Sequence, residues 1–338
     1  MNRIVDRPSP GITAALILLL CLTSGCFIKM SIPFPGTGGG ALVEVTVAGE
    51  GTDKILLVDL SDVFTEEEKG GSFRIGRKSS TVNRLKAQLE KAEEDPDVKA
   101  LLLRLNTPGG TVTASDILHH EIVRFKEEKG VPVIAEMMGV SASGGYYVAC
   151  AADRIMAHPT TITGSIGVLW RGMNFESLFQ KIGVEDTSLK TGDKKDIGSP
   201  FRERTAEEEA IMGALLDDFL ERFVSIVEDS RPDITPESME TITDGRIFTA
   251  NQALELKLID EIGYLEDAVK EAKREAGLAE ARVVVYRPES RQGAGNIYAA
   301  LSDLEELRFS LVNIEADSLL NGLQPGFYYL WAPGSGSM

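Results

Sequence analysis

Short apolar runs alternate along this chain with longer stretches of helical periodicity. Apolar runs predict strands at residues 54–60 (KILLVDL), 100–105 (ALLLRL), 131–137 (VPVIAEM), 154–157, 165–170 and 282–286. Helical spacing predicts helices at 81–94, 113–129, 205–229 and 265–276, and a helix within 244–263 that ends in the strand-like run LID. Strands that alternate with helices pair in parallel through right-handed crossovers. The alternation therefore predicts an α/β fold with a parallel sheet.

Composition limits the function classes open to such a fold. The 338 residues are 43% apolar and 26% charged, and the formal net charge is −17. A surface this acidic repels phosphate backbones, so we expect no nucleic-acid partner. The chain has three cysteines and three histidines, none with the spacing of a zinc site. We therefore expect no metal ion, and no cofactor.

The amino terminus has the pattern of an export signal. No residue between Arg7 and Lys29 is charged, and residues 12–22 form an apolar run, ITAALILLLCL, that is short for a membrane span. Small residues follow, and then Cys26, in the manner of a lipobox. We predict a lipoprotein signal peptide over residues 1–25, lipidation of Cys26, and an exported protein held at the membrane, in the periplasm or at the outer face. An uncleaved anchor helix and a soluble export signal are the alternatives.

Two glycine-bearing loops follow predicted strands. The first, NTPGG at 106–110, can present backbone amides to a carbonyl oxygen because glycine has no side chain; the alternative is an ordinary turn. The second, GVSASGG at 139–145, nearly matches the nucleophile elbow G-x-S-x-G and precedes a predicted helix. Ser141 and Ser143 are both candidate nucleophiles, and the alternative is that either one caps the helix.

A serine nucleophile needs a base, and histidine is scarce. No local signature marks His119, His120 or His158. Lysine is the known alternative, provided that burial lowers its pKa from ~10.4 towards 7. The run GDKKDIG at 192–198 supplies Lys194 and Lys195, although alternating charges are also typical of a solvated loop.

Five motifs together resemble the signal peptide peptidase A family. In chain order they are NTPGG, ASGGYYVACAADRI, TGSIGV, KKDIGSPFRERT and DGRIFTANQALELKLIDEIG, and the resemblance covers about residues 55–263. These serine–lysine peptidases share the fold of caseinolytic protease and the crotonases. The resemblance implies a ClpP/crotonase-like spiral of repeated ββα units with parallel sheets and a C-terminal helical extension. The Pro/Gly-rich stretch at 32–40 (IPFPGTGGG) predicts a tether at 26–50. The peptidase domain is expected at 51–290, and the resemblance does not cover the tail at 291–338, which we expect to be mobile or to contact another subunit.

The resemblance also assigns roles where residues match the family's motifs. Ser143 resembles the nucleophile, and Lys195 resembles the general base, with Lys194 as the fallback. Ser165 resembles the serine that orients the lysine amine. Gly110 and Gly144 resemble the oxyanion-hole donors.

The implied function is that of a membrane-associated serine endopeptidase. Its substrates would be cleaved signal peptides and other unstructured peptides with small or apolar side chains at the cleavage site. Short family members form homo-oligomeric rings in which the lysine can reach a neighbour's serine, and we adopt that arrangement as a hypothesis. The alternatives are a crotonase-like acyl-CoA enzyme, which shares the fold, and a non-catalytic lipoprotein scaffold.

Overall fold

A largely parallel sheet with helices packed on both faces organises the chain. The computed structural model describes residues 42–66, 79–289, 296–298 and 326–332, all within the compact unit Gly39–Met338. Its strands are β1 (Leu42–Ala48), β2 (Lys54–Ser61), β3 (Val98–Thr107), β4 (Gly109–Thr111), β5 (Val133–Ala142), β6 (Arg154–Ala157), β7 (Ile162–Gly164), β8 (Leu169–Arg171), β9 (Ile247–Thr249), β10 (Glu261–Ile262), β11 (Arg282–Pro288) and β12 (Gly326–Leu330). Its helices are α1 (Thr81–Glu93), α2 (Val112–Lys129), α3 (Gly144–Ala149), α4 (Glu176–Ile182), α5 (Ala206–Ser230), α6 (Pro236–Ile242), α7 (Ala250–Glu255) and α8 (Leu265–Glu275).

The large sheet has the order β1–β11–β2–β3–β5–β6–β10. Its neighbours pair in parallel from β11 to β10, and only β1 pairs antiparallel along this path. The far half of β5 also pairs with β7, which in turn pairs with β9. A second, antiparallel sheet has the order β4–β12–β8. These pairings confirm the predicted α/β class and its parallel sheet.

The central strands are apolar on both faces because both faces are covered. Leu101 and Leu103 of β3 pack in one core with α1 and α2, whereas Leu102 packs in another with α8. Strands between two helical layers have near-continuous apolar sequences, as ALLLRL does.

The ββα repeat is visible where consecutive units stack. β3, β4 and α2 form one such unit, and in the unit before it β2 is followed by Phe64 and then α1. Phe64 forms an isolated parallel bridge with Gly110 of β4, so the short second strand of one unit lies beside the corresponding segment of the other.

Three predicted segments have different bounds in the structure, for local reasons. Residues 165–170 do not form one strand, because Ser165 takes a left-handed conformation (φ +51°) that turns the chain from β7 towards β8. The strand predicted at 131–137 continues to Ala142, since its second half gains β7 as a neighbour. Within 244–263 the helix is limited to α7, with β9 before it and β10 after the LID run.

Both ends of the folded unit differ from the sequence-based expectations. The tether predicted at 26–50 contains β1, which pairs antiparallel with β11, so a strand occupies 42–48. The tail expected to be mobile or in subunit contact contains β12, which pairs within its own chain. The predicted signal peptide, Cys26 and most of the C-terminal helical extension fall outside the described residues. Among the helices of the described ranges, none is long and apolar enough to cross a bilayer.

A buried carboxyl group lies in the sheet, on the face that carries α8. Glu136 of β5 is fully buried, and neither of its carboxyl oxygens has a hydrogen-bond partner among the described residues. Burial, followed by the negative charges of Asp267 and Glu266, raises the pKa of Glu136 to about 8. The native state therefore holds this carboxyl in its protonated form at neutral pH.

Substituting Glu136→Gln should stabilise the protein at neutral pH. In the unfolded chain a glutamate ionises near pH 4.3, whereas native Glu136 keeps its proton until about pH 8. Ionisation thus favours the unfolded state, and wild-type stability should fall as pH rises between these values. The uncharged variant should lose this slope and gain up to roughly 3 kcal/mol at pH 7. Urea unfolding from pH 5 to 8 measures the free energy of unfolding of both proteins, with a Glu90→Gln variant at an exposed position as control. The same dependence of that free energy on pH in the wild type and the Glu136→Gln variant would contradict the assignment.

Candidate active site

Ser143 lies at the junction of β5 and α3 in a strained backbone conformation. Its φ and ψ are 53° and −115°, a region that residues other than glycine rarely adopt. Two hydrogen bonds hold it there: its N–H donates to the carbonyl of Gly164 (2.7 Å), and its carbonyl accepts from the N–H of Tyr147 (2.9 Å). Its Oγ does not cap α3 and has no partner among the described residues. The alternative that Ser143 is a helix cap therefore fails.

Ser141 has a different environment. It is fully buried within β5, opposite Thr163 of β7, whose hydroxyl donates to the Ser141 carbonyl (2.7 Å). Its Oγ would lie 3.1 Å from a Cβ built on Gly145, which places it beneath the first turn of α3. The strained position belongs to Ser143 alone of the two, which favours Ser143 as the nucleophile.

The two glycine loops meet beside Ser143. A Cβ built on Gly109 would lie 2.8 Å from the amide nitrogen of Gly144, and one built on Gly110 would overlap the carbonyl of Phe64. Phe64 forms two backbone hydrogen bonds with one edge of β4. Its N–H donates to the Gly109 carbonyl (2.9 Å), and its carbonyl accepts from the Thr111 N–H (3.1 Å). Alternation along a strand then turns the Gly110 N–H to the opposite edge, along which β12 pairs with β4. The structure thus brings together the two predicted oxyanion donors.

Ser165 is close to Ser143 through the backbone. It follows Gly164, the acceptor of the Ser143 N–H bond, and is itself largely buried and left-handed. Its N–H donates to the carbonyl of Arg246 (2.7 Å), which fixes the turn.

The two candidate lysines are not brought to Ser143 within the chain. Lys195 is exposed, and Lys194 forms an ion pair with Glu207 (2.6 Å). The single chain therefore does not bury Lys195 beside the nucleophile.

A charge network that the sequence reasoning missed fixes the segment that carries these lysines. Asp196 and Glu208 both accept hydrogen bonds from Arg202, and Lys190 donates to Asp196 (2.9 Å). Hydrogen bonds, that from Arg202 first, lower the pKa of Glu208. The spacing of opposite charges in KKDIGSPFRERT was the available signal.

None of the three histidines bonds to Ser143. His119 lies edge-on to the ring of Tyr147 (5.4 Å between centroids), and burial above all lowers its pKa to about 4. His158 bonds to the Thr160 hydroxyl, and His120 is exposed. The rejection of a histidine triad on sequence grounds agrees with this geometry.

The sequence reasoning also missed the tail strand as a neighbour of the site. β12 pairs with β4, and its Tyr329 stands opposite Gly110. The run of aromatic residues in FYYLW was a strand signal, but nothing in the sequence indicated the partner.

Comparisons with known proteins identify relatives of this chain. Residues 125–279 match the model of peptidase family S49. A putative signal peptide peptidase SppA from Enterococcus faecium is 34% identical over 250 residues, which cover 74% of this chain and 72% of that protein. A putative protease of Synechocystis is 42% identical over 211 residues, or 62% of this chain and 73% of that one. The chain belongs to peptidase family S49.

Membership confirms the prediction of a serine-type peptidase and decides against the acyl-CoA enzyme.

Among solved structures, a mutant of the 1510-N membrane-bound stomatin-specific protease is similar over 66% of this chain and 86% of its own, with a TM-score of 0.42 and 16% identity.

In this S49 peptidase, Gly110→Ala should damage both the site and the fold. The new methyl group would overlap the Phe64 carbonyl, a backbone atom that can move only if β4 moves. We expect a loss of roughly 2–4 kcal/mol in unfolding free energy and of peptidase activity. Gly213→Ala in α5 is the control, because its Cβ would meet nothing within 4 Å and alanine favours a helix. Thermal unfolding of both variants tests this; equal stabilities would contradict it.

Proposed function

We propose that this chain is a membrane-associated endopeptidase with a Ser143–Lys195 dyad, degrading cleaved signal peptides and other unstructured peptides. The observation that carries the proposal is the strained Ser143, with an unpartnered Oγ, next to the converging amides of Gly110 and Gly144. Strain of this kind at a strand-to-helix junction is typical of a nucleophile. Family membership supports the peptide bond as the target.

The proposed reaction uses a neutral lysine amine. Lys195 Nζ takes the Ser143 Oγ proton as Oγ bonds to the substrate carbonyl carbon, and the amides of Gly110 and Gly144 stabilise the oxyanion. The carbon–nitrogen bond then breaks, and protonated Lys195 gives its proton to the leaving amine. Water attacks the resulting ester with Lys195 again as base, releasing the acid and restoring Ser143. Ser165 is proposed to orient the lysine amine.

We propose further that Lys195 serves the Ser143 of a neighbouring copy in a homo-oligomeric ring. Ser143 is buried and Lys195 exposed in the single chain. The segment before Lys195 also exposes large apolar side chains, and none of the residues of α4, which belongs to it, is buried. The exposed apolar residues of the segment include Met173, Leu178, Ile182, Val184 and Leu189. Exposed apolar surface of this extent is typical of a subunit interface, and contact there would desolvate the lysine.

The membrane association is proposed from the sequence. The apolar run at 12–22 and the small residues before Cys26 support export and lipidation, which would hold the peptidase at the outer face of the membrane. Remnant signal peptides are released into the same membrane.

The nucleophile and base can be tested by active-site labelling. A fluorophosphonate should label wild-type protein on Ser143, mapped by mass spectrometry, and should not label Ser143→Ala. Lys195→Ala should slow labelling and peptide hydrolysis by at least ~100-fold, because it removes the general base. Lys194→Ala is the matched control and should retain most activity. Equal rates of labelling and hydrolysis in the Lys195→Ala variant and the wild-type protein would contradict the proposed dyad.

Mixing inactive variants tests whether the dyad is shared. Ser143→Ala and Lys195→Ala chains are unfolded together, refolded and assayed. A shared dyad should restore about a quarter of wild-type activity at equal amounts, since one pairing in four joins an intact serine to an intact lysine across a cyclic interface. Activity no higher than that of the separate variants would show that each chain completes its own site.

Lipidation can be tested in the intact precursor. Cys26→Ser should leave an unprocessed, slower-migrating chain that incorporates no labelled fatty acid. Cys21→Ser, within the apolar run, is the control and should be processed normally. Identical processing of Cys26→Ser and wild-type chains would refute the lipobox assignment.

A further inference from the structure

The segment that carries the proposed base is anchored through the residue that follows it. Lys195 is exposed, but the carboxylate of Asp196 accepts hydrogen bonds from two cations. The Nζ of Lys190 lies 2.9 and 3.0 Å from its two oxygens. Arg202 binds the same two oxygens through Nη2 (2.8 Å) and Nε (3.0 Å). A guanidinium that engages both oxygens of a carboxylate fixes its orientation as well as its distance, so the backbone next to Lys195 is held in place.

Arg202 also joins this segment to the first turn of α5. Its Nη1 donates to Oε2 of Glu208 (2.8 Å), and its Nη2 donates to the other oxygen. Glu208 belongs to a capping box, in which its carboxylate accepts from the Thr205 N–H (3.0 Å) and its own N–H donates to the Thr205 hydroxyl (3.2 Å). Only 1% of the Glu208 side chain is exposed. One guanidinium thus connects the start of a 25-residue helix to the residue beside the proposed base.

The charges of the four linked side chains cancel, because two are negative and two positive: Asp196, Glu208, Lys190 and Arg202. Hydrogen bonds from Arg202 and then from Lys190 hold the pKa of Asp196 well below its usual range, so this carboxylate is ionised. An unpaired carboxylate beside an amine favours the protonated amine, which cannot accept a proton. A cation beside an amine favours its neutral form. The two cations therefore remove an obstacle to a base at position 195.

The other lysine of the run is placed differently. Lys194 Nζ forms an ion pair with Glu207 of α5 (2.6 Å), and this hydrogen bond raises the pKa of Lys194. An amine bound to a carboxylate keeps its proton, so Lys194 is suited to holding the segment and not to acting as a base. The other charged residues of the same stretch are Asp186, Asp193, Glu203 and Arg204.

We propose that Arg202 and Lys190 are positioning residues of the reaction, which clamp Asp196 onto α5 and leave no unpaired carboxylate beside the amine of Lys195. The inference rests on the proposed Ser143–Lys195 chemistry and names the device that adjusts its base. Both residues act through Asp196 and need no contact with substrate. We call Lys190, Asp196, Arg202 and Glu208 the base clamp.

The charge effect is tested with Lys190→Gln in the full-length protein, by following peptide hydrolysis from pH 6 to 10. Removing this cation leaves the base clamp with a net negative charge. The rising limb of the kcat profile should move to higher pH by about one unit, which lowers the rate at pH 7 by about 10-fold and leaves the alkaline plateau within about twofold. Adding Asp196→Asn to this variant should return the limb to its wild-type position, which loss of assembly alone would not allow.

Lys99→Gln is the control for the charge effect. It removes an exposed cation at the start of β3, the end of the parallel strands away from Ser143, and should keep the wild-type profile. A wild-type profile in Lys190→Gln, or a shift that Asp196→Asn does not reverse, would overturn the charge effect.

The positioning effect is tested with Arg202→Lys, which keeps the charge but loses the planar fork. One ammonium group cannot hold both oxygens of Asp196 and reach Glu208 as well. The plateau kcat should therefore fall by about 10-fold, while KM stays within about twofold and the rising limb keeps its position. Thermal unfolding shows whether the variant folds; if it does not, Arg202→Lys combined with Glu208→Gln, which removes the buried charge, takes its place. A folded variant with wild-type kcat would overturn the positioning role.

These outcomes are distinct from a failure of the proposed function. If Lys195→Ala hydrolyses peptides and labels at wild-type rates, the dyad is wrong and the base clamp falls with it. If Lys195→Ala is inactive while Lys190→Gln and Arg202→Lys behave as the wild type, the dyad stands and only the base clamp is wrong.

Discussion

The site depends on backbone segments that approach too closely for any side chain to lie between them. At Gly109, Gly110 and Gly144 a Cβ would meet the backbone of Tyr329, the backbone of Phe64 and the Ser115 hydroxyl, respectively. Their absence of side chains lets β4 bond to Phe64 on one edge and to β12 on the other while α3 begins beside it. The strain at Ser143 is sustained by the same packing, since the Gly164 carbonyl on one side and the first turn of α3 on the other fix its backbone.

The part of this arrangement that lies in local sequence could be predicted. The strands of the parallel sheet are apolar because both faces are covered, and the loops after β3 and β5 are marked by glycine and serine. The backbone turn at Ser165 could not be read in the same way, because a serine at φ +51° has no local signature. It is imposed by a bond from its N–H to Arg246, a residue 81 positions away in a segment interpreted as helix.

The tail shows the same limit more clearly. The aromatic run FYYLW favours a strand, yet a strand's partner is set by which edges remain unpaired in the finished fold. β4 and β8 have three residues each and are separated by almost sixty positions in the chain. The space between them, in which β12 pairs with both, exists only after the chain has folded. Arg202 is a similar case at shorter range. Its guanidinium forms ion pairs with both Asp196 and Glu208. The sequence shows a run of opposite charges there but does not indicate which of them pair.

The nucleophile and the proposed base are controlled by different parts of the chain. Ser143 is buried near β12, whose Tyr329 packs against Tyr147 and Phe223. Lys195, in contrast, is exposed on a segment that also exposes large apolar side chains. Under the proposed mechanism the isolated chain therefore lacks activity for two separate reasons, a covered serine and a solvated lysine. Assembly with a neighbour can remedy only the second, because desolvating the lysine does nothing to displace the tail.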